Sequence, residues 1–298
     1  MDCPTCKNQS DASTDNGQTP ASETECMAGE TAARPVALPD VQSAEDRRRI
    51  AIDRVGVKNV VYPVQIAMPN GQSQSTVATV NMYVALPADR KGTHMSRFLQ
   101  VLNEDGEPIS TRRIREMADH IRERLGAETA YIELDFTYFM RKFAPVSQQP
   151  GLMDYRVTFA CTAGQEPDFR MGVTVSATSL CPCSKEISIY GAHNQRCEIH
   201  ADVRFDGMLW IEDLVELIES AASTEVYAVL KRPDEKFVTE DAFDNPKFVE
   251  DIIRDLATAL NRDERITWYR ISSENFESIH SHNAYAEITA DKRDGEND

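Results

Sequence analysis

The chain has 298 residues, 41% of them hydrophobic, and sets 49 Asp and Glu against 32 Lys and Arg for a formal net charge of −17. That length suits one large core or two modest ones, and so acidic a chain excludes a general nucleic-acid binder, because a phosphate backbone calls for a basic face. Pro or charge interrupts every apolar run before it can span a bilayer, which excludes a helical membrane protein.

Residues 1 to about 45 hold Ser, Thr, Asp, Glu, Gly and Pro with almost no aromatic or β-branched apolar content, the composition of a disordered acidic tail. Its opening is unlike a signal or Arg-rich transit peptide, so a cytoplasmic location is expected. Seven cysteines without an export signal then read as reduced thiols, some of them metal ligands or catalysts, rather than a disulfide frame. Cys3-Pro4-Thr5-Cys6 looks like half of a zinc knuckle or a redox pair. With no second pair nearby it reads as exposed and dispensable.

Periodicity becomes legible from Arg47. A strand is expected over 57–68, where Pro63 calls for an edge or a bulge, and a second where Ala78, Val80, Met82, Val84 and Leu86 alternate with polar neighbours. A helix over 94–102 precedes one that Ser110 caps and Gly126 stops, with Ile114, Met117, Ala118, Ile121 and Leu125 on one face. Strands follow at Ile132 to Met140 and Tyr155 to Cys161. The order then repeats: strands at Phe169 to Ala177 and Cys197 to Phe205, a helix from Ile211, and a helix capped by Asn245 with Pro246 at its first position. The last strands are expected near 266–272 and 284–289. Two successive ββααββ units, 46–163 and 164–298, imply an α+β architecture, antiparallel sheets with helices layered on one face.

Chemistry-bearing residues concentrate in Ser179-Leu180-Cys181-Pro182-Cys183-Ser184-Lys185-Glu186-Ile187-Ser188, followed by Tyr190-Gly191-Ala192-His193-Asn194-Gln195-Arg196. In extended chain the Cys181 and Cys183 sulfurs project to one side, and the Tyr190-Gly191 turn can return His193 to them. Two thiols and an imidazole suit a transition metal with an open fourth position. The same spacing also fits two buried cysteines and a surface histidine. His200, on the polar register beside Glu198 and Asp202, reads as solvated.

These two stretches resemble the signature of the prokaryotic type IB GTP cyclohydrolase I family. So do Gly92-Thr93-His94-Met95-Ser96-Arg97-Phe98, Leu230-Lys231-Arg232-Pro233-Asp234-Glu235-Lys236 and Asn245-Pro246-Lys247-Phe248-Val249-Glu250-Asp251. The resemblance runs from about residue 50 to the end and leaves out the N-terminal tail. It implies two tandem tunnelling-fold modules per subunit, assembly into a homotetramer with active sites near subunit contacts, and hydrolysis of GTP at C8 to give 7,8-dihydroneopterin triphosphate and formate.

By motif match, Cys181, His193 and Glu235 would hold one divalent metal per site (Zn, Mn or Fe), which activates water for the attack. Cys183 would be the catalytic thiol, or else a fourth ligand. Glu250 would take the guanine N1–H and N2–H pair, which adenine cannot offer; without the match it reads as a surface ion pair to Arg254. His280, in Ser278-Ile279-His280-Ser281-His282-Asn283, would be a general acid or base, or one of two solvent-facing histidines. No P-loop motif is present. Lys185, Arg196, Lys231 and Arg232 are the motif-borne cations that can meet the triphosphate, with Arg97 and His94 from a neighbouring subunit. Two rivals remain at this stage. A nitrile reductase relative predicts nicotinamide dependence and no metal; a non-catalytic metal-binding protein predicts a closed four-ligand site.

Overall fold

The computed structural model describes residues 40–42, 44–104 and 106–295; Cys3, Cys6 and nearly all of the expected tail lie outside them. Among the described residues nine strands form one antiparallel sheet: β1 (Ile52–Ala67), β2 (Ser73–Leu86), β3 (Ala130–Phe143), β4 (Pro150–Ala163), β5 (Asp168–Leu180), β6 (Asn194–Phe205), β7 (Thr224–Glu225), β8 (Ile266–Asn275) and β9 (Ala284–Asp291). Their order across the sheet is β1-β2-β3-β4-β5-β6-β8-β9. The short β7 pairs with Ala177 and Thr178 of β5, beyond the point where β4 leaves off at Arg156 and Thr174. β1 is an edge strand, so Pro63 withholds no needed donor. Its register slips between Val57 and Val60, where Asn59 (φ 59°) donates its backbone N–H to Asn81 Oδ1 at 2.8 Å.

The strands alternate as a sheet with one covered face must. Ala130, Ile132, Leu134, Phe136 and Tyr138 of β3 are buried while the residues between them are more open. Six α-helices are present among the described residues: α1 (Met95–Glu104), α2 (Thr111–Leu125), α3 (Pro182–Ile187), α4 (Ile211–Ser220), α5 (Arg232–Asp244) and α6 (Val249–Arg262). α2 packs on β3 and β4, α4 on β5, and α6 on β8 and β9, so the core lies between one sheet face and a helix layer. This is an α+β fold. Ser110 caps α2 by accepting from the Arg113 N–H at 3.1 Å, and Gly126 ends it in the left-handed conformation.

Two local expectations are corrected. The stretch around Cys181 and Cys183 is not extended: Cys181 is the N-cap of α3, with Pro182 in its first turn. Asn245 does not cap the last helix. It is the C-cap of α5, and α6 begins at Val249, where Asp251 accepts the Phe248 N–H at 3.0 Å.

Candidate functional site

The motif residues gather at the end of the sheet where β5 finishes, β6 begins and β8 finishes. The Cys181 N–H donates to the His193 carbonyl at 3.1 Å, continuing the β5–β6 ladder past its last pair, Leu180 and Asn194. Ser184 closes the turn: its hydroxyl donates to the Cys181 carbonyl at 3.1 Å and accepts the His193 N–H at 3.2 Å. Pro182 fits because the first helical position needs no N–H, and the Cys181 sulfur accepts from the Ser184 N–H at 3.5 Å. Cys181 and His193 are thus stapled together, both half-buried, while Cys183 is exposed on the first turn of α3.

Two further loops are strapped to this corner. Lys247 donates its N–H to the Leu180 carbonyl at 3.0 Å, and its own carbonyl accepts the Ser179 hydroxyl at 3.1 Å. That fixes the segment leading into α6, whose first turn carries Glu250, exposed and without a hydrogen bond or ion pair among the described residues. Arg254 does not meet Glu250; it lies 4.0 Å from Asp251. The β8–β9 loop is tied by the Phe276 N–H to the Arg196 carbonyl at 3.0 Å, and Ser278 Oγ stands 3.4 Å from His193 Nδ1. Beyond it His280 is exposed and stacks on His282, ring centroids 5.2 Å apart.

Lys185 reaches over α5, donating to the Phe243 carbonyl with its ammonium 4.4 Å from that ring. The Arg196 side chain is exposed. Lys231, Arg232 and Glu235 sit at the exposed start of α5. Glu235 is not gathered with the other two donors: among the described residues no three His, Cys, Asp or Glu side chains form a metal-binding group. His94 and Arg97 belong elsewhere on the chain, lining a cleft with Arg90 and Arg124, and His94 pairs with Asp40 at 3.2 Å. His200 lies on a different row, between Thr174 at 3.0 Å and Asp202 at 3.4 Å. Burial pushes the Cys161 and Cys197 thiols up to about 12, which leaves them unreactive.

Sequence reasoning passed over a buried polar row behind this corner. Ser179, Gln195, Ser273 and Asn275 occupy the inward register of β5, β6 and β8, in line with its hydrophobic residues and beyond the expected strand ends. Gln195 Oε1 lies 3.0 Å from His193 Nδ1, and the Asn275 amide donates to Ser179 Oγ at 3.0 Å. Gln195 in phase with Cys197, Ile199 and Ala201 was the available signal, since a polar residue on a buried register must find partners.

As to fit, a cysteine and a histidine joined through their backbones, with one nitrogen of the ring already hydrogen-bonded to Gln195, are residue types that suit a transition metal such as Zn²⁺. The family model for type I GTP cyclohydrolase FolE2 matches residues 38–286. The chain belongs to that family. A GTP cyclohydrolase FolE2 from Nitrosococcus oceani is 53% identical over 256 residues, covering 86% of this chain and 96% of its own length. One from Magnetococcus marinus is 54% identical over 257 residues, covering 86% and 97%. Among solved structures, a uricase from Arthrobacter globiformis aligns at a TM-score of 0.47 and 11% identity, over 83% of this chain and 96% of that one. That likeness is too slight to bear on function.

Proposed function

We propose that this FolE2-family chain is a metal-dependent GTP cyclohydrolase, converting GTP and water into 7,8-dihydroneopterin triphosphate and formate at the head of the folate and pterin route. The observation that carries this reading is the corner itself: Cys181 and His193 of the family motif stapled at one sheet end, with the Glu250 and His280 loops strapped beside them. Cys181, His193 and Glu235 are the proposed donors to one divalent ion (Zn, Mn or Fe). A bound ion of this kind lowers the pKa of water and so supplies the nucleophile that attack on C8 needs at neutral pH.

The chain's own residues then divide the work. Glu250 accepts guanine N1–H and N2–H, selecting GTP over ATP. Cys183 and His280 move protons as the C8–N9 bond opens, formate leaves and the ribose carbons close the new ring; of the two waters consumed, one returns on closure. Lys185 and Arg196 meet the triphosphate. The proposal includes two tandem tunnelling-fold modules, 46–163 and 164–298, following the tail at 1–45. It also includes a homotetramer that completes each site, and a cytoplasmic location.

The test is to incubate metal-stripped protein with GTP, with and without added Mn²⁺ or Zn²⁺, and follow pterin fluorescence and formate release. Product should form only with metal. Cys181→Ala should lose both metal content and turnover, whereas Cys183→Ala should lose turnover and keep metal. No pterin under any metal would overturn the reading, and nicotinamide-dependent reduction of a nitrile would put the reductase in its place.

A further inference from the structure

We infer that Gln195 is a positioning residue: it holds His193 in the tautomer that carries its proton on Nδ1 and so keeps the Nε2 lone pair free for a metal. This rests on the reading of His193 as a ligand. The assignment follows from hydrogen-bond accounting. Ser179 has one hydroxyl proton, which it donates to the Lys247 carbonyl at 3.1 Å, so toward its other neighbours it can only accept. It accepts from the Asn275 amide at 3.0 Å and from Gln195 Nε2 at 3.4 Å. The second proton of that Gln195 amide points to Glu277 Oε1, also at 3.4 Å, and a carboxylate can only accept.

Both neighbours on that side therefore demand the amide nitrogen. Flipping the Gln195 amide would set its carbonyl against a carboxylate and a spent hydroxyl. The carbonyl Oε1 must face His193 Nδ1, at 3.0 Å, and an acceptor there requires a proton on Nδ1. Ser278 Oγ, at 3.4 Å from the same nitrogen, fits as a second, weaker acceptor. Gln195 is only 7% exposed and Ser179 1%, so water cannot readily replace these partners, and leaving one unpaired would be costly. The chain of bonds starts from Lys247 on the Glu250 segment and Glu277 on the His280 loop. The ring of His193 is thereby referenced to both loops of the proposed site.

The experiment uses protein labelled with ¹⁵N-histidine, metal-free, with long-range ¹H–¹⁵N spectra to read the tautomer of each ring. The His193 signals are assigned by their loss in His193→Ala. The wild type should show His193 with its proton on Nδ1, and Gln195→Leu should shift it toward Nε2. Zn²⁺ affinity, measured by competition with a chromophoric chelator, should fall roughly 10- to 100-fold in Gln195→Leu. It should recover in part when Gln195→Glu is combined with Glu277→Gln, which restores an acceptor at Nδ1 and a donor across from it, although the new carboxylate has no proton to give Ser179. A proton on Nε2 in the metal-free wild type overturns the inference, as does full Zn²⁺ affinity in Gln195→Leu when His193→Ala has lost it. Unchanged affinity in His193→Ala sinks the ligand reading instead, and the spectra still decide the tautomer.

Discussion

Asp234 has no solvent exposure, and its carboxylate takes four hydrogen bonds: from the Val146 and Ser147 N–H groups at 2.8 and 2.7 Å, the Ser147 hydroxyl at 2.6 Å and the Lys231 N–H at 2.9 Å. It joins the β3–β4 turn to the start of α5, one residue before Glu235. Burial alone would raise its pKa, but the Ser147 hydroxyl and these backbone donors outweigh that and hold the carboxyl well below the usual carboxylate range. A depressed folded pKa stabilises the protein above the unfolded value, and that contribution is lost as pH falls through the folded one. Asp234→Asn should therefore lower Tm most at neutral pH, and the gap to wild type should begin to narrow once acid protonates the unfolded-state carboxyl, below about 4. Thermal melts from neutral pH down to about 2 check this; a gap constant with pH would show that Asp234 acts by shape alone. Within the sequence, Asp234 was legible as part of a motif but not as a buried clamp, because Val146 and Ser147, which supply three of its four hydrogen bonds, lie 88 and 87 residues away.

The long elements were read with little error, because each writes its period into the sequence. β3 alternates strictly, and α2 carries its apolar stripe between a Ser cap and a Gly stop. The elements missed are those without a period. α5 buries only Asp234 and Ala242, so nothing in its apolar residues marks a helix; Pro233 and the acidic first turn were its only signals. α3 spans six residues and buries none, and Pro182 starts it. β7 is two residues long and pairs with β5 beyond Thr174, where the pairing of β5 with β4 has stopped. A test at this scale concerns the α2 stop. Gly126 sits at φ 59°, ψ 42°, and its N–H reaches the carbonyls of Arg122 and Glu123. A Cβ there would meet nothing closer than an Arg90 nitrogen at 3.9 Å, so packing does not require glycine; the backbone conformation does. Gly126→Ala should cost about 1 kcal/mol in urea denaturation with an unchanged slope. No loss would mean that the cap relaxes out of the left-handed region without penalty.

Across the whole molecule, the two halves read from the sequence share one core. Four phenylalanines form an edge-to-face ladder through four neighbouring strands, Phe136, Phe159, Phe169 and Phe205, with centroids 5.3, 5.6 and 5.7 Å apart. Beside this apolar seam lies an ionic one. Lys142 of β3 meets Glu219 of α4 and Glu225 of β7, each at 2.7 Å, and the Tyr155 hydroxyl of β4 donates to Glu219 at 3.0 Å. The Lys142 and Glu219 side chains are 13% and 8% exposed. Burial raises the Glu219 pKa, and Lys142 offsets part of that. Lys142→Met should therefore be costly, because it leaves a carboxylate buried with only a tyrosine hydroxyl; the expected loss is about 3–5 kcal/mol. Since a raised pKa favours folding only where the group is protonated, the deficit should be largest at neutral pH and shrink on acidification. Combining Lys142→Met with Glu219→Gln removes the stranded charge while keeping an acceptor for Tyr155. The double variant should recover at least about 2 kcal/mol relative to the single. Denaturation of wild type, both single variants and the double closes the cycle. If the two losses simply add, Lys142 holds the halves together by its packing on Tyr227, whose ring it covers at 4.5 Å, and not by neutralising Glu219.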